Sequence, residues 1–337
     1  MKILLVSGGH IPIPPPAWGG VENVIWQQYN FLTRAGHQVA ILNKRKKTLN
    51  GFLARPWEYD LVHLHIDSGA KAWLKLRRVF RFRLAITTHY GYAAFPDLWE
   101  SSYRQTFQYM LDVPHHITLS PQIRETALKA GYTGKAFVLP NGIECADVRF
   151  DPSPACRQAL VLGRIQERKK QRFLADALRA HPEISCDLIG PTDEPDFTGN
   201  GINVRCLGPW DRARVNESLT EYACMVLISD GEAHAGVILE AMAAGLSLVL
   251  SPEAAHNLDT NQAWVHIVDR DRPEDVTDAI TRAVAENPGH RAAIRRYCEA
   301  TFDWKVIGQQ YLSITEEIVG AKRAGVRPPS LERADGH

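Results

Sequence analysis

Ala223-Cys224-Met225-Val226-Leu227-Ile228-Ser229-Asp230-Gly231-Glu232-Ala233-His234-Ala235-Gly236-Val237-Ile238-Leu239-Glu240-Ala241-Met242-Ala243-Ala244-Gly245 is the stretch that decides the fold. Its first six residues are apolar without a break, which is how a strand buried on both faces of a parallel sheet reads. A polar loop follows, then an apolar stretch suited to a helix from about Gly236 and closed by Gly245. The unit is strand, loop, helix.

The same unit recurs along the whole chain. Lys2-Ile3-Leu4-Leu5-Val6 runs into Ser7-Gly8-Gly9, a helix over 21–35 stops at Gly36, and the next strand takes 38–42. Apolar runs at 60–66, 84–88, 116–119 and 136–139 continue the series, with helices over 99–112 and 121–131 between them. Asp151-Pro152-Ser153-Pro154 reads as a linker, and Ala159-Leu160-Val161-Leu162-Gly163 starts the pattern again. Strands at 184–189, 202–207, 223–228 and 246–250 then alternate with helices over 170–180, 211–222, 236–244 and 273–286. The pattern predicts an α/β chain of two Rossmann-like domains, each a doubly wound parallel sheet, with boundaries at 1–150 and 151–304 and a polar tail over 322–337. Such sheets take ligands beyond the carboxyl ends of their strands, so the cleft between the two domains is the expected site.

Composition narrows the class. With 45% hydrophobic and 23% charged residues, the 337-residue chain can bury two ordinary cores. No window reaches the roughly 18 to 20 apolar residues of a membrane helix, and the opening apolar run is too short for a signal peptide, so a cytoplasmic protein is expected. Six scattered cysteines form no C-x-x-C pair, which argues against a zinc knuckle and a disulfide framework; no metal site and no cofactor are expected. Residues 1–150 carry 18 Lys/Arg against 10 Asp/Glu, and the remainder 21 against 28. Opposite signs suit attraction across a cleft, or a basic first half that faces an anionic surface. A nucleic-acid role has only the basic runs at 44–47 and 71–83 behind it.

Four motifs carry chemistry. In the first, a helix beginning near Gly236 would aim free N–H groups and a positive dipole end into the cleft, suited to a diphosphate, with Glu232 before the helix and Glu240 about one turn inside it. In this stretch the chain resembles the retaining glycosyltransferases of family 4, which have the two-domain GT-B architecture, and the resemblance extends over nearly the whole chain. It implies that Glu232 contacts hydroxyls of the donor sugar, that backbone amides around Ala235, Gly236 and Val237 hold its phosphates, and that Glu240 binds the nucleotide ribose. Where the family commonly has Gly-Phe-Gly-Leu after the first glutamate, this chain has Ala233-His234-Ala235-Gly236.

The second motif is Gly163-Arg164-Ile165-Gln166-Glu167-Arg168-Lys169-Lys170-Gln171. It resembles the family's diphosphate clamp, which implies that Arg164 and Lys169 stabilise the leaving group by fixed positive charge without a metal; Arg168 and Lys170 read as surface charges. The third is Gly19-Gly20 before a helix, where amides without a Cβ can approach an oxyanion; the family's similar glycine pair lies near donor phosphate and acceptor. The fourth is His89, at the carboxyl end of Ala85-Ile86-Thr87-Thr88, a position the family commonly places near the reacting sugar. His63, His65, His115 and His116 read as structural. Pro140-Asn141-Gly142-Ile143-Glu144 and Thr301-Phe302-Asp303-Trp304 are two further family landmarks, and by that likeness the helix at about 305–320 returns to the first domain.

The resemblance implies transfer of a hexose or N-acetylhexosamine from a nucleotide diphosphate sugar, taken as a UDP-sugar, to a saccharide or lipid-linked acceptor. Lys71 to Arg83 interleaves six cations with Trp73, Phe80 and Phe82, which suits a peripheral contact with an anionic membrane surface. Two alternatives stay open: a nucleotide-sugar epimerase of the same fold, and a non-catalytic nucleotide-sugar binding module. A nicotinamide dehydrogenase is disfavoured, because no G-x-G-x-x-G follows the first strand.

Overall fold

A computed structural model describes residues 1–16, 18–45 and 47–320. The tail at 322–337 lies outside the described residues. Twelve strands among them form two sheets of six, all pairs parallel.

In the first half the chain runs β1 Lys2–Ser7, α1 Gly20–Arg34, β2 Gln38–Asn43, α2 Lys47–Leu53, β3 Leu61–Leu64, α3 Ala70–Val79 and β4 Leu84–Ile86. It continues through α4 Ser101–Leu111, β5 His115–Thr118, α5 Pro121–Lys129 and β6 Lys135–Val138. The sheet order is β2-β1-β3-β4-β5-β6, so the chain moves outward from β1 to β2 and then returns to the other side of β1. Register pairs Leu4 with both Ala40 and Val62, which sets β1 between two aligned neighbours. Every residue of β3 and β4 is buried, the reason these strands read as unbroken apolar runs rather than alternating ones.

The second half runs β7 Arg157–Leu162, α6 Gln171–Leu178, β8 Cys186–Ile189, β9 Val204–Gly208, α7 Arg212–Ser218, β10 Tyr222–Leu227, α8 Gly236–Ala243, β11 Ser247–Leu250 and β12 Val265–Ile267. Helices α9 Pro273–Thr301 and α10 Trp304–Val319 complete it. Its sheet order is β12-β11-β10-β7-β8-β9. The order reverses between β7 and β10, so the loops leaving these two neighbours part and open a crevice, the usual place for a ligand on such a sheet. Those loops hold Gly163–Lys169 and Ser229–Gly236.

Three differences from the sequence reading have local causes. Strand β12 lacks a run longer than three residues, too short for periodicity to register. Helix α9 is twice the expected length and passes through Pro288. On either side of that proline, buried Asn287 donates to the Gly245 carbonyl, and buried Arg291 donates to the carbonyls of Asp151, Thr220 and Tyr222; these contacts hold the helix against β10 and β11. In the 71–83 segment Trp73 and Phe82 pack edge to face inside the core, with ring centroids 6.1 Å apart. Those aromatics therefore face inward, and only the cations and Val79 remain on the outside.

Helix α10 packs against the first sheet. Trp304 meets the Phe31 ring of α1, and Tyr311 Oη lies 2.8 Å from His63 Nδ1 of β3. Contact is close enough that a Cβ on Gly308 would stand 2.6 Å from the Phe31 ring. Gly308→Val is expected to cost about 1–3 kcal/mol through overpacking and to lower the thermal midpoint. An unchanged midpoint in a calorimetric scan would contradict this account of α10.

Candidate active site

At the parting of β7 and β10 the side chain of Glu232 is nearly buried, and two cations hold it. Lys169 Nζ and Arg168 Nη1 each stand 3.4 Å from Glu232 Oε1. Lys169 is itself buried, and Gly163 provides the room for it: at φ 139° this glycine would bring a Cβ to 3.0 Å from Lys169 Nζ. Arg168 also donates to the Gly231 carbonyl at 2.7 Å and lies over the Tyr92 ring. One carboxylate between two cations leaves a net positive charge in a water-poor corner, where an anion would be held strongly.

The amino ends of α1 and α8 converge on a cleft of about 840 Å³. Gly20 opens α1 and Gly236 opens α8; neither would place a Cβ within 4 Å of anything, and neither helix has a side-chain cap. First-turn amides of both helices thus face space that an oxyanion can enter. Gly19, Gly20, Gly236, Val237 and Glu240 all line this cleft, together with Arg212, whose guanidinium pairs with Glu240. Ala235 is the residue before α8, at an unstrained φ of −71°, so its Cβ is accommodated. The indole N–H groups of Trp18 and Trp210, which also line the cleft, are buried without a protein partner among the described residues.

His89 belongs to a separate corner. Its Nε2 lies 3.0 Å from His65 Nδ1, and the His63 ring packs against His65 at 4.1 Å between centroids, tilted by 45°. His63 is tied to Thr87 and Tyr311, so it is structural, as its sequence context suggests. His65 departs from that bland reading because it bonds directly to His89. The loop leaving β4 links this corner to Glu232: a Cβ on Gly91 would lie 3.1 Å from Arg168 and 3.5 Å from the Gly231 carbonyl. The two halves are further joined by Asn141, whose N–H donates to His234 Nδ1 at 2.9 Å and whose side chain donates to the His234 carbonyl.

The structure therefore gathers the predicted residues into adjoining groups rather than one pocket. Glu232, Lys169, Arg164 and His89 do not line the large cleft. Arg164 stands apart from all of them: it is half-exposed and donates to Asp193 at 2.8 Å. Arg168, read from sequence as a surface charge, instead occupies the position beside Glu232. Lys170 pairs with Asp271 at 2.6 Å and with Asp230 at 3.7 Å, and carries φ 55°.

The family model described as glycosyl transferases group 1 matches residues 156–286, and the one described as glycosyltransferase family 4 matches residues 48–147. The chain belongs to this family of glycosyltransferases. Its two sheets are the GT-B architecture. Sucrose-phosphate synthase from Thermosynechococcus elongatus superposes with a TM-score of 0.76 at 17% identity, over 95% of this chain and 100% of that one. Anabaena HepE in complex with UDP and glucose gives 0.71 at 17% identity, over 94% and 100%. A glycosyltransferase from Rickettsia africae gives 0.71 at 17%, over 95% and 99%. No curated protein matches the chain.

In this glycosyltransferase Trp210 and Arg212 were absent from the sequence reading. They sit just past β9, and only the rule that ligands gather at carboxyl strand ends could have flagged them. Burial also sets the protonation of its histidines. It lowers His89 from 6.5 to about 4, and His63 and His234 to about 3, because the imidazolium is poorly solvated there. In the unfolded chain each takes a proton near pH 6.5. The unfolded state therefore binds more protons between that pH and about 4, and folding stability falls as pH drops through this window. Denaturant midpoints measured from pH 7 to 4 are expected to fall, and His89→Asn is expected to flatten the slope; parallel curves would refute the assignment.

Proposed function

We propose that the chain is a retaining, metal-independent hexosyltransferase. It moves a hexose or N-acetylhexosamine from a UDP-sugar to a hydroxyl of a saccharide or lipid-linked saccharide, as in cell-surface polysaccharide or glycolipid synthesis, and it needs no cofactor besides the donor. The observation that carries this reading is Glu232 held between Lys169 and Arg168 where β7 and β10 part, next to the uncapped amino end of α8. Similarity to a fold that binds UDP and glucose in HepE supports the choice of donor.

In this reading residues 151–304 hold the donor and residues 1–150, with α10, hold the acceptor. Glu240 takes the ribose, with Arg212 orienting its carboxylate. Backbone amides at Gly236, Val237, Gly19 and Gly20, with Lys169 and Arg168, take the diphosphate, and fixed positive charge does the work a metal would otherwise do. Arg164 joins them on leaving Asp193. Glu232 and His89 hold sugar hydroxyls. The bond from C1 of the sugar to the phosphate oxygen breaks as the bond from C1 to the acceptor oxygen forms on the same face. The acceptor proton passes to the departing phosphate oxygen, and UDP leaves. Because Glu232 is already neutralised by two cations, it serves poorly as a nucleophile, in keeping with a mechanism without a covalent intermediate.

UDP at 100 times its dissociation constant should stabilise the protein by about 2.7 kcal/mol, with or without EDTA. Lys169→Ala and Glu240→Ala should abolish that shift, and NMR of the product should show the donor's anomeric configuration retained. An EDTA-sensitive shift would remove metal independence. Donor binding without turnover on any acceptor would favour a binding module, and donor epimerisation without acceptor an epimerase.

A cytoplasmic enzyme touching an anionic membrane is the companion proposal. Lys75, Arg78, Arg81 and Arg83 point outward from the 71–83 segment, and Val79 is 73% exposed. Phe52, on α2, packs on Phe80 while Leu49 and Leu53 beside it stay exposed. Apolar side chains rimmed by cations fit an acidic bilayer. Co-sedimentation with phosphatidylglycerol vesicles should be lost in the Arg78→Glu, Arg81→Glu double variant; no binding by the wild type would remove the proposal.

A further inference from the structure

His65 has no role in the reading so far, yet it touches His89 directly. The two come together because β3 and β4 are neighbours and side chains on one face of a strand recur every second residue. Just past β3 the His65 N–H still donates to the Val6 carbonyl at 2.8 Å, and just past β4 the Thr87 N–H donates to the Leu64 carbonyl at 2.8 Å, so both chains stay extended there. Two cross-strand pairs result. His63 Nε2 lies 2.9 Å from Thr87 Oγ1, and His65 Nδ1 lies 3.0 Å from His89 Nε2. Tyr311 of α10 ties His63 through its other nitrogen, and the His63 ring packs against His65. His65 therefore cannot turn without disturbing a neighbour that is itself held on both sides.

These contacts decide which nitrogen of His89 carries its proton. Burial keeps both imidazoles neutral, so each ring has one N–H and one bare nitrogen, and in the pair one ring donates while the other accepts. His65 is only 4% exposed, and its Nε2 is buried without a partner among the described residues. With its proton on Nε2, His65 would bury an orphaned N–H, which folded proteins rarely tolerate. With its proton on Nδ1, the N–H is used and only a lone pair is left over. His65 is thus the donor and His89 Nε2 the acceptor. The His89 proton then sits on Nδ1, which makes no hydrogen bond among the described residues and belongs to a ring that is only partly buried. That nitrogen is left for a ligand. Packing alone does not call for histidine at position 65, since phenylalanine would fill the place and leave no polar atom unpaired.

We propose that His65 is a positioning residue for the transfer, and that its Nδ1–H fixes His89 as a hydrogen-bond donor to an oxygen of the donor sugar. The proposal rests on the transferase reading above, which puts His89 on a sugar hydroxyl. A hydroxyl can donate or accept, so a ring free to change tautomer would meet it in either sense. A ring fixed as donor selects one orientation of that hydroxyl and so favours one pose of the sugar.

Nitrogen-15 NMR of the histidine side chains reads the tautomer, with His89→Asn used to assign the signals. The unliganded wild type should show His89 protonated on Nδ1 and bare at Nε2. His65→Phe keeps a ring against His63 but has no donor, and should return His89 to a mixture of tautomers. His65→Asn, whose Nδ2 stands where the His65 Nδ1 stood, should restore the wild-type pattern. Calorimetry with UDP, UDP-glucose, UDP-galactose and UDP-N-acetylglucosamine supplies the functional arm. For whichever UDP-sugar binds, His65→Phe should weaken affinity about fivefold, with UDP alone unaffected and the loss recovered in His65→Asn. A wild-type His89 protonated on Nε2 overturns the proposal. So does the absence of any loss in His65→Phe, a loss that UDP shares, or one that His65→Asn fails to recover. Failure of the wild type to bind UDP would defeat the transferase reading and the sugar role with it, whereas an Nε2 proton in a protein that binds UDP defeats the positioning role alone.

Discussion

The rest of the site depends on one electrostatic arrangement, the Glu232 carboxylate between Lys169 and Arg168. A buried carboxylate is tolerated only when it is paired, and breaking such a pair is far more costly than replacing it whole. Both cations come from a single turn after β7, and the carboxylate comes from the loop after β10. The pairing therefore locks the loops of two adjacent parallel strands whose connections part. With those loops fixed, the start of α8 is fixed, and with it the amides of Gly236 and Val237.

That arrangement also explains how the two halves meet. Arg168 reaches past Glu232 to the Tyr92 ring and to Gly91, so the clamp of the second sheet is in contact with the loop that carries His89. Asn141 and His234 make a second tie further along. His234 occupies the place of an aromatic in the family pattern, and it keeps a ring while adding an acceptor for the Asn141 amide. His234 therefore takes part in an interdomain contact, and burial keeps the imidazole neutral as that acceptor role requires.

The architecture was legible because both sheets are parallel and covered on both faces, which makes their central strands unbroken apolar runs. Strand β12 and helix α2 escaped because three residues and seven residues are too few for a period to show. The continuation of α9 through Pro288 was hidden because its cause, the set of carbonyls that receive Arg291, is spread over three other elements. For the site, glycines at helix starts and glutamates at loop ends were readable, since their conformational and electrostatic roles are local. Which of Arg164, Arg168 and Lys170 turns inward is a matter of side-chain direction in a short irregular turn, and residue type alone carries no information about it.

The turn after β7 also raises the question of why Arg164 stands outside. Three cations and Glu232 in one small corner would leave two uncompensated positive charges without a ligand, and desolvating them is unfavourable. Pairing with Asp193 at the half-exposed edge removes that cost at little expense, because a surface pair of this kind contributes on the order of 1 kcal/mol or less. A diphosphate brings the negative charge that makes a third cation favourable inside. On the transferase reading proposed above, the guanidinium would leave its weak outer pair only when a diphosphate is there to receive it.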